Sequence, residues 1–111
     1  MKLLITLILI VLFIAGCTQT KDIKQQAIDL CTQICRVNPV NAPLERVYAN
    51  GPCLSDNNPD WNITDWVCDV AHSPRQPDID DKPENQCQDF RNGQAHHFVE
   101  VDPSCNFIKA I

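Results

Sequence analysis

Seven cysteines in a chain of 111 residues constrain the fold more than any other feature. Cys17 directly follows an N-terminal apolar segment, and the other six are spread over the rest of the chain. An even set can pair completely, and a domain of under about 100 residues behind such a segment buries only a modest core. We therefore predict three structural disulfides, each contributing roughly 2–4 kcal/mol, rather than a redox or metal role. The six cysteines are Cys31, Cys35, Cys53, Cys68, Cys87 and Cys105.

The apolar segment near the start has the features of a secretory signal peptide. Lys2 precedes it, and residues 3–15 are apolar except for Thr6. A helix needs about 20 apolar residues to cross a bilayer, so this run is too short to be a typical membrane span. A basic start, an apolar middle and small residues before the cut are the parts of a signal that is removed on export. The alternatives are an ordinary secretion signal in which Cys17 is incidental, and an uncleaved anchor helix.

The residues Ile14-Ala15-Gly16-Cys17 resemble the lipobox of prokaryotic lipoproteins. The resemblance covers only the leader. It implies that the Cys17 thiol receives a diacylglyceryl group and that the chain is cut after Gly16. Residues 1–16 are then the signal peptide, 17–21 the lipidated cysteine with a short tether, and 22–111 the disulfide-stapled domain. Since each buried CH₂ contributes roughly 0.8 kcal/mol, two acyl chains would hold the domain durably at the cell membrane or outer envelope.

The net charge of the chain limits the classes of partner that it is expected to bind. The whole chain has a formal net charge of −5, and removal of residues 1–16 takes away one lysine and no acidic residue, which leaves −6. Nucleic-acid binding requires a basic surface, so this class of partner is not expected. An acidic domain also gains nothing from an anionic bilayer, so the lipid would have to provide the attachment. The predicted partner is thus the membrane through Cys17, with a protein or envelope partner left open, and no cofactor is predicted.

The first part of the domain reads as a helix from Ile23 to Val37. Asp22 and Gln25 are spaced as a capping box, and Asn38-Pro39 ends the pattern. Because Cys31 and Cys35 share a helical face, they are better placed to reach different strands than to bond one another, which leaves about 12 of the 15 connectivities open. The apolar stripe consists of Ile23, Ala27, Leu30, Cys31, Ile34 and Cys35.

Strand patterns follow the helix. The segment 44–49 with the turn Asn50-Gly51 reads as a short strand entering a hairpin. The strongest alternation runs over 65–72, and it predicts an apolar inner face and an outer face that carries Asp65 and Asp69 into solvent. The predicted inner face consists of Trp66, Cys68, Val70 and His72.

The remaining segments complete an α+β domain. Residues 73–82 are rich in proline and charge and predict a surface loop. A short helix is expected from Asp81 to Asn92-Gly93, with Cys87 and Phe90 facing inward. A strand is expected over 95–102, with His97, Val99 and Val101 on one side, and an edge strand at 107–108. We predict an N-terminal helix packed on a small, mostly antiparallel sheet, with a second short helix and three disulfides.

The three histidines are the strongest candidates for a functional site, in this case a metal site. If the two main strands are antiparallel neighbours, His72 lies opposite His96 or His97, and with Asp69 or Glu100 they could hold a transition metal. The connection between these strands contains a predicted helix, however, and such connections often join parallel strands, which would separate the histidines. The metal hypothesis makes the chain a small metal-binding or metal-dependent hydrolytic protein.

Two further positions have weaker signals, and no catalytic motif is present. Asn62 begins an N-glycosylation sequon, and Trp61 lies in a polar stretch where an exposed indole could contact a partner. The sequence contains no GxSxG elbow, no CxxC and no phosphate-binding glycine loop. The leading expectation is therefore a lipid-anchored extracytoplasmic domain that acts as a non-enzymatic binding or envelope-surface module.

Overall fold

The computed structural model describes residues 20–37 and 42–111. The predicted signal peptide, Cys17 and Asn38-Pro39 lie outside these residues. The α+β class is confirmed, and the described residues form four helices, one 3₁₀ turn and three strands. In chain order the elements are α1 (Ile23–Arg36), α2 (Leu44–Val47), β1 (Trp66–Val70), α3 (Pro77–Asp80), the 3₁₀ turn (Pro83–Asn85), α4 (Gln88–Arg91), β2 (His97–Val101) and β3 (Phe107–Ala110).

Helix α1 forms as its sequence predicts and ends one residue earlier. The Asp22 carboxylate accepts a hydrogen bond from the Gln25 main-chain N–H at 2.7 Å, which satisfies one of the free donors at the helix start. Ala27, Cys31 and Cys35 follow at intervals of four and are fully buried. This narrow stripe of small residues lets the helix pack closely on the sheet.

The three disulfides confirm that the two helix cysteines bond to different partners. Cys31–Cys68 joins α1 to β1, and Cys35–Cys105 joins α1 to the segment before β3. The third bridge is Cys53–Cys87. Three disulfides in a small domain indicate an oxidising, extracytoplasmic environment. Among the residues that the structure describes, no helix is both long and apolar enough to cross a membrane.

The sheet has the order β1-β2-β3 and is mixed rather than mostly antiparallel. β1 and β2 pair in parallel, with Trp66 opposite His97 and Val70 opposite Val101. β2 and β3 pair antiparallel through a short turn. The parallel pair arises because residues 71–96 form a long crossover with two one-turn helices, which returns the chain to the starting end of β1.

The two faces of the sheet are both covered, but unequally. The face toward α1 holds the main core, in which Cys68, Val70, Val99 and Val101 are at most 1% exposed. The opposite face carries Val67 in a smaller cluster around Cys87. The expectation that Asp69 points into open solvent is wrong, because the Cys87 segment lies over this face and leaves the Asp69 side chain half-buried.

The predicted strand at 44–49 is wrong. Leu44–Val47 is one turn of helix, and Leu44, Val47 and Tyr48 pack together on the core. Residues three and four apart share a face only in a helix, so the apolar spacing here has the helical period. Tyr48 is buried and donates its hydroxyl to the Cys35 carbonyl at 3.1 Å. A turn does form at Asn50-Gly51, where Gly51 has φ of +63°, the region that glycine adopts without strain. It follows a helix, however, and does not join two strands of a hairpin.

The crossover differs from the prediction in two places. The expected loop at 73–82 contains the one-turn helix α3. The expected helix after Asp81 is divided into the 3₁₀ turn and α4, because Gln86 and Cys87 have extended backbone with ψ of 153° and 122°. Asp81 does not cap it, since its carboxylate accepts hydrogen bonds from Arg75. Cys87 is buried as predicted, but Phe90 is 42% exposed.

Candidate functional site

The structure does not bring the three histidines together. Because β1 and β2 are parallel, His72 follows the end of β1 while His96 and His97 stand at the start of β2. The parallel pairing therefore places His72 at the opposite end of the sheet from His96 and His97. A metal site that combines His72 with either of the other two does not form in this fold.

His72 is held by a buried carboxylate. Its Nδ1 lies 2.8 Å from Asp80 Oδ1, and Asp80 is only 3% exposed. Asp80 also accepts hydrogen bonds from the main-chain N–H groups of His72 and Gln76. Burial by itself raises the pKa of Asp80, but the hydrogen bond from Gln76 and those from His72 together hold it below the usual value. This pair ties the end of β1 to α3.

His96 and His97 share a second carboxylate at the opposite end of the sheet. His96 Nδ1 lies 2.6 Å from Asp65 Oδ1, and His97 Nε2 lies 3.6 Å from Asp65 Oδ2. The His97 ring also stacks on Trp66, with centroids 4.7 Å apart. The hydrogen bond from His96 lowers the pKa of Asp65. These contacts orient both rings, and metal binding by them stays a prediction.

Within residues 20–37 and 42–111, one cluster of three side chains has the spacing of a metal site: Cys53, Asp69 and Cys87. Both cysteines are in a disulfide, however, and only a thiolate is a good metal ligand. The cluster is therefore a disulfide beside a carboxyl group.

The other two predicted positions lie on the surface loop before β1. Asn62 is exposed, so its sequon is accessible. Trp61 is half-buried, and its indole N–H donates to the Trp66 carbonyl at 2.8 Å. Most of the Trp61 ring therefore serves packing, and only part of it can reach a partner.

A groove of about 320 Å³ lies on the sheet face opposite α1. This volume lies at the lower end of the range for small-molecule sites. Its apolar wall consists of Val67, Phe90 and Phe98, and the two phenyl rings pack edge to face with centroids 5.2 Å apart. The groove is open to solvent because α4, which carries Phe90, covers the sheet only in part. We call this feature the sheet groove.

Charged side chains line the rest of the sheet groove. Glu100 is central: its carboxylate oxygens lie 3.5 Å from Arg75 Nη1 and 4.0 Å from Lys109 Nζ. The Lys109 ammonium also stands over the Phe98 ring, 5.5 Å from its centroid. Arg91 is the third cation and donates to Gln86 rather than to a carboxylate. The sheet groove thus offers positive charge beside an aromatic wall in a domain that is acidic overall.

Asp69 is the unusual group of the sheet groove. Its neighbour in the register is Glu100, so two carboxyl groups lie side by side on the same face of the sheet. Burial, reinforced by the negative charge of Glu100, raises the pKa of Asp69 to about 8. Cys87 Sγ lies 3.9 Å from Asp69 Oδ1, and a disulfide sulfur has no proton to donate. Asp69 is therefore protonated at neutral pH and available to a ligand or a reacting sulfur.

This site was not predicted from the sequence, because the face of β1 that carries Asp69 was expected to be exposed to solvent. The one available signal was Cys87, since a third disulfide had to bring some segment of the crossover over the sheet. No family model, curated protein or solved structure matches the chain.

Proposed function

We propose that this protein is a lipid-anchored extracytoplasmic binding domain that takes small amphipathic molecules in the sheet groove. The observation that carries the proposal is the combination, in one concavity, of the phenyl pair Phe90 and Phe98 with the ionic rim and the uncharged Asp69 carboxyl. Binding sites of this kind combine an apolar wall with a few polar groups that fix orientation.

The attachment to the membrane rests on the leader pattern. The lipobox-like Ile14-Ala15-Gly16-Cys17 supports acylation of Cys17, and the disulfides agree with export. From Cys17 to the start of α1 the chain has only a few residues, which reach on the order of 20 Å when extended at about 3.5 Å each. The sheet groove would then work close to the membrane surface.

The ligand chemistry follows from the wall and the rim. An aromatic or aliphatic group would pack on Phe98 and Phe90. A polar or anionic end would meet the cations Arg75, Arg91 and Lys109, and a protonated Asp69 could donate a hydrogen bond to it. The best fit is a small molecule with an apolar body and one anionic or hydrogen-bond-accepting end.

Binding can be tested with anilinonaphthalene sulfonate, a fluorescent dye with an aromatic body and one anionic group. We expect saturable fluorescence enhancement with the folded, full-length protein, and a roughly tenfold weaker Kd for Phe90→Ala, which corresponds to about 1.4 kcal/mol. Phe107→Ala is the matched control, since Phe107 is similarly exposed, at 48%, and does not line the sheet groove. Equal affinities for both variants and the unchanged protein would contradict the proposal.

The anchor is tested separately. In a bacterial host that processes lipoproteins, we expect metabolic labelling with a fatty acid and recovery of the protein in the membrane fraction. Cys17→Ser should abolish the label and release the protein from the membrane unless the leader remains uncleaved. A labelled Cys17→Ser variant, or an unlabelled protein with its leader removed, would show that Cys17 is not the lipid attachment site.

A further inference from the structure

The Cys53–Cys87 bridge differs from the other two disulfides in its surroundings. The four cysteines of the other bridges are fully buried in the core between α1 and the sheet. Cys87 is 3% exposed, whereas Cys53 is half-buried and retains solvent access. Cys53 is therefore the less buried residue of this bridge, and both of its cysteines belong to the smaller cluster rather than to the main core.

Two groups that can donate or accept a proton lie beside the Cys53–Cys87 bridge. Asp69 Oδ1 is 3.9 Å from Cys87 Sγ. The Ser55 hydroxyl oxygen lies 3.4 Å from Cys53 Sγ and 3.7 Å from Cys87 Sγ. This oxygen already accepts a hydrogen bond from the Cys68 main-chain N–H at 3.0 Å, so its own proton is free to point at a sulfur.

We propose that Cys53–Cys87 is an exchangeable disulfide that oxidises dithiols, with Cys53 as the attacked sulfur and Asp69 as the proton donor to the Cys87 sulfur. The substrate class is a molecule or protein segment with two neighbouring thiols. This inference goes beyond the binding role and does not depend on it or on the lipid anchor.

The chemistry proceeds in two displacements. A substrate thiolate attacks Cys53 Sγ, the Cys53–Cys87 bond breaks, and its electron pair passes to Cys87 Sγ, which takes the proton of the Asp69 carboxyl. The second substrate thiol then gives its proton to the Asp69 carboxylate and attacks the substrate sulfur of the mixed disulfide. The electron pair of that bond passes to Cys53 Sγ, which is protonated from solvent. The substrate leaves as a disulfide, and the protein retains two thiols.

The charges around Asp69 support its role as an acid. Burial and the neighbouring Glu100 raise its pKa to about 8, with a smaller contribution of the same sign from Asp80 and Asp56, and Arg75 opposes them. Lys109 also lines the sheet groove but pairs with Glu100. At neutral pH the carboxyl therefore carries the proton that the leaving sulfur requires.

The test is a time course with full-length, oxidised protein and limiting dithiothreitol at pH 7, in which thiols are trapped with an alkylating reagent and located by peptide mass spectrometry. We expect Cys53 and Cys87 to be labelled at least tenfold faster than the other four cysteines. Asp69→Asn should slow this step about tenfold at pH 7. Asp60→Asn, which removes an exposed carboxylate, should leave the rate unchanged.

The pH dependence separates a proton donor from a merely structural residue. The advantage of the unchanged protein over Asp69→Asn should shrink as the pH rises above about 8, because Asp69 then loses its proton. Simultaneous labelling of all six cysteines would show that opening requires unfolding and would overturn the proposal. An unchanged rate in Asp69→Asn, or a rate ratio that is constant from pH 6 to 9, would overturn the role of Asp69.

Discussion

Replacing Asp69 with asparagine should change how the stability of the protein depends on pH. The pKa of this carboxyl is about 8 in the folded protein against 3.8 for an unperturbed aspartate. Between these values the folded state holds a proton that the unfolded chain has released, so the free energy of unfolding falls as the pH rises. Stability from this group is complete below about pH 4 and is lost up to about pH 8.

The size of the effect follows from the shift. Each pH unit inside the window costs about 1.4 kcal/mol, so the interval from pH 4.5 to 7.5 spans about 4 kcal/mol. This is a large fraction of the 5–15 kcal/mol that stabilises a typical domain. Asp65 and Asp80 have lowered pKa values, so their contributions are lost only as the pH falls below about 4, outside this interval.

The assay is urea unfolding of the oxidised protein at several pH values, followed by the fluorescence of the buried Trp66. The unchanged protein should lose stability steadily from pH 4.5 to 7.5, and Asp69→Asn should be nearly flat over that range and more stable at pH 7.5. Asp60→Asn should retain the slope of the unchanged protein. Parallel curves for Asp69→Asn and the unchanged protein would refute the argument that burial keeps Asp69 protonated.

Four further variants test the packing by equilibrium unfolding. Gly51→Ala should destabilise the protein by roughly 2–3 kcal/mol, because φ is +63° and a Cβ would lie 2.9 Å from the Val70 carbonyl oxygen in β1. Gly93→Ala is the control: φ is +75°, but a Cβ there would meet open space, so the loss should be only about 1 kcal/mol. Equal losses would contradict the close approach at Gly51. Asp80→Asn should cost roughly 2–3 kcal/mol at pH 7, because a buried, multiply hydrogen-bonded carboxylate is lost. Joint replacement of Cys35 and Cys105 by alanine should cost roughly 4 kcal/mol, as the bridge closes a separation of 70 residues, and a loss below 1 kcal/mol would show that it does not restrain the unfolded chain.

The elements with strong periodicity were predictable. The α1 helix has both an N-cap and a stripe with the helical period, and its cysteines could be assigned to separate partners because side chains four apart point the same way. The strands β1 and β2 alternate clearly, and their inner residues form the core. These features depend on local backbone geometry and on the periodic spacing of apolar residues, and both can be identified in the sequence.

The features set by long-range contacts were not predictable. The helix predicted between β1 and β2 indicated a parallel pair only as one alternative, because the direction of β2 depends on the path of the whole crossover. The burial of Asp69 follows from the same path, because the Cys53–Cys87 bridge fixes a distant segment over the second face of the sheet. The sheet groove therefore could not be located from β1 and β2 alone.

The central claim is that this chain is exported, anchored by Cys17 and cross-linked by three specific disulfides. The most direct test is non-reducing mass spectrometry of the protein isolated from bacterial membranes, with intact-mass and peptide-level measurements. The account predicts a chain that begins at an acylated Cys17 and contains the pairs Cys31–Cys68, Cys35–Cys105 and Cys53–Cys87. Free thiols in the main core, a different pairing, or an unmodified Cys17 behind an uncleaved leader would contradict it.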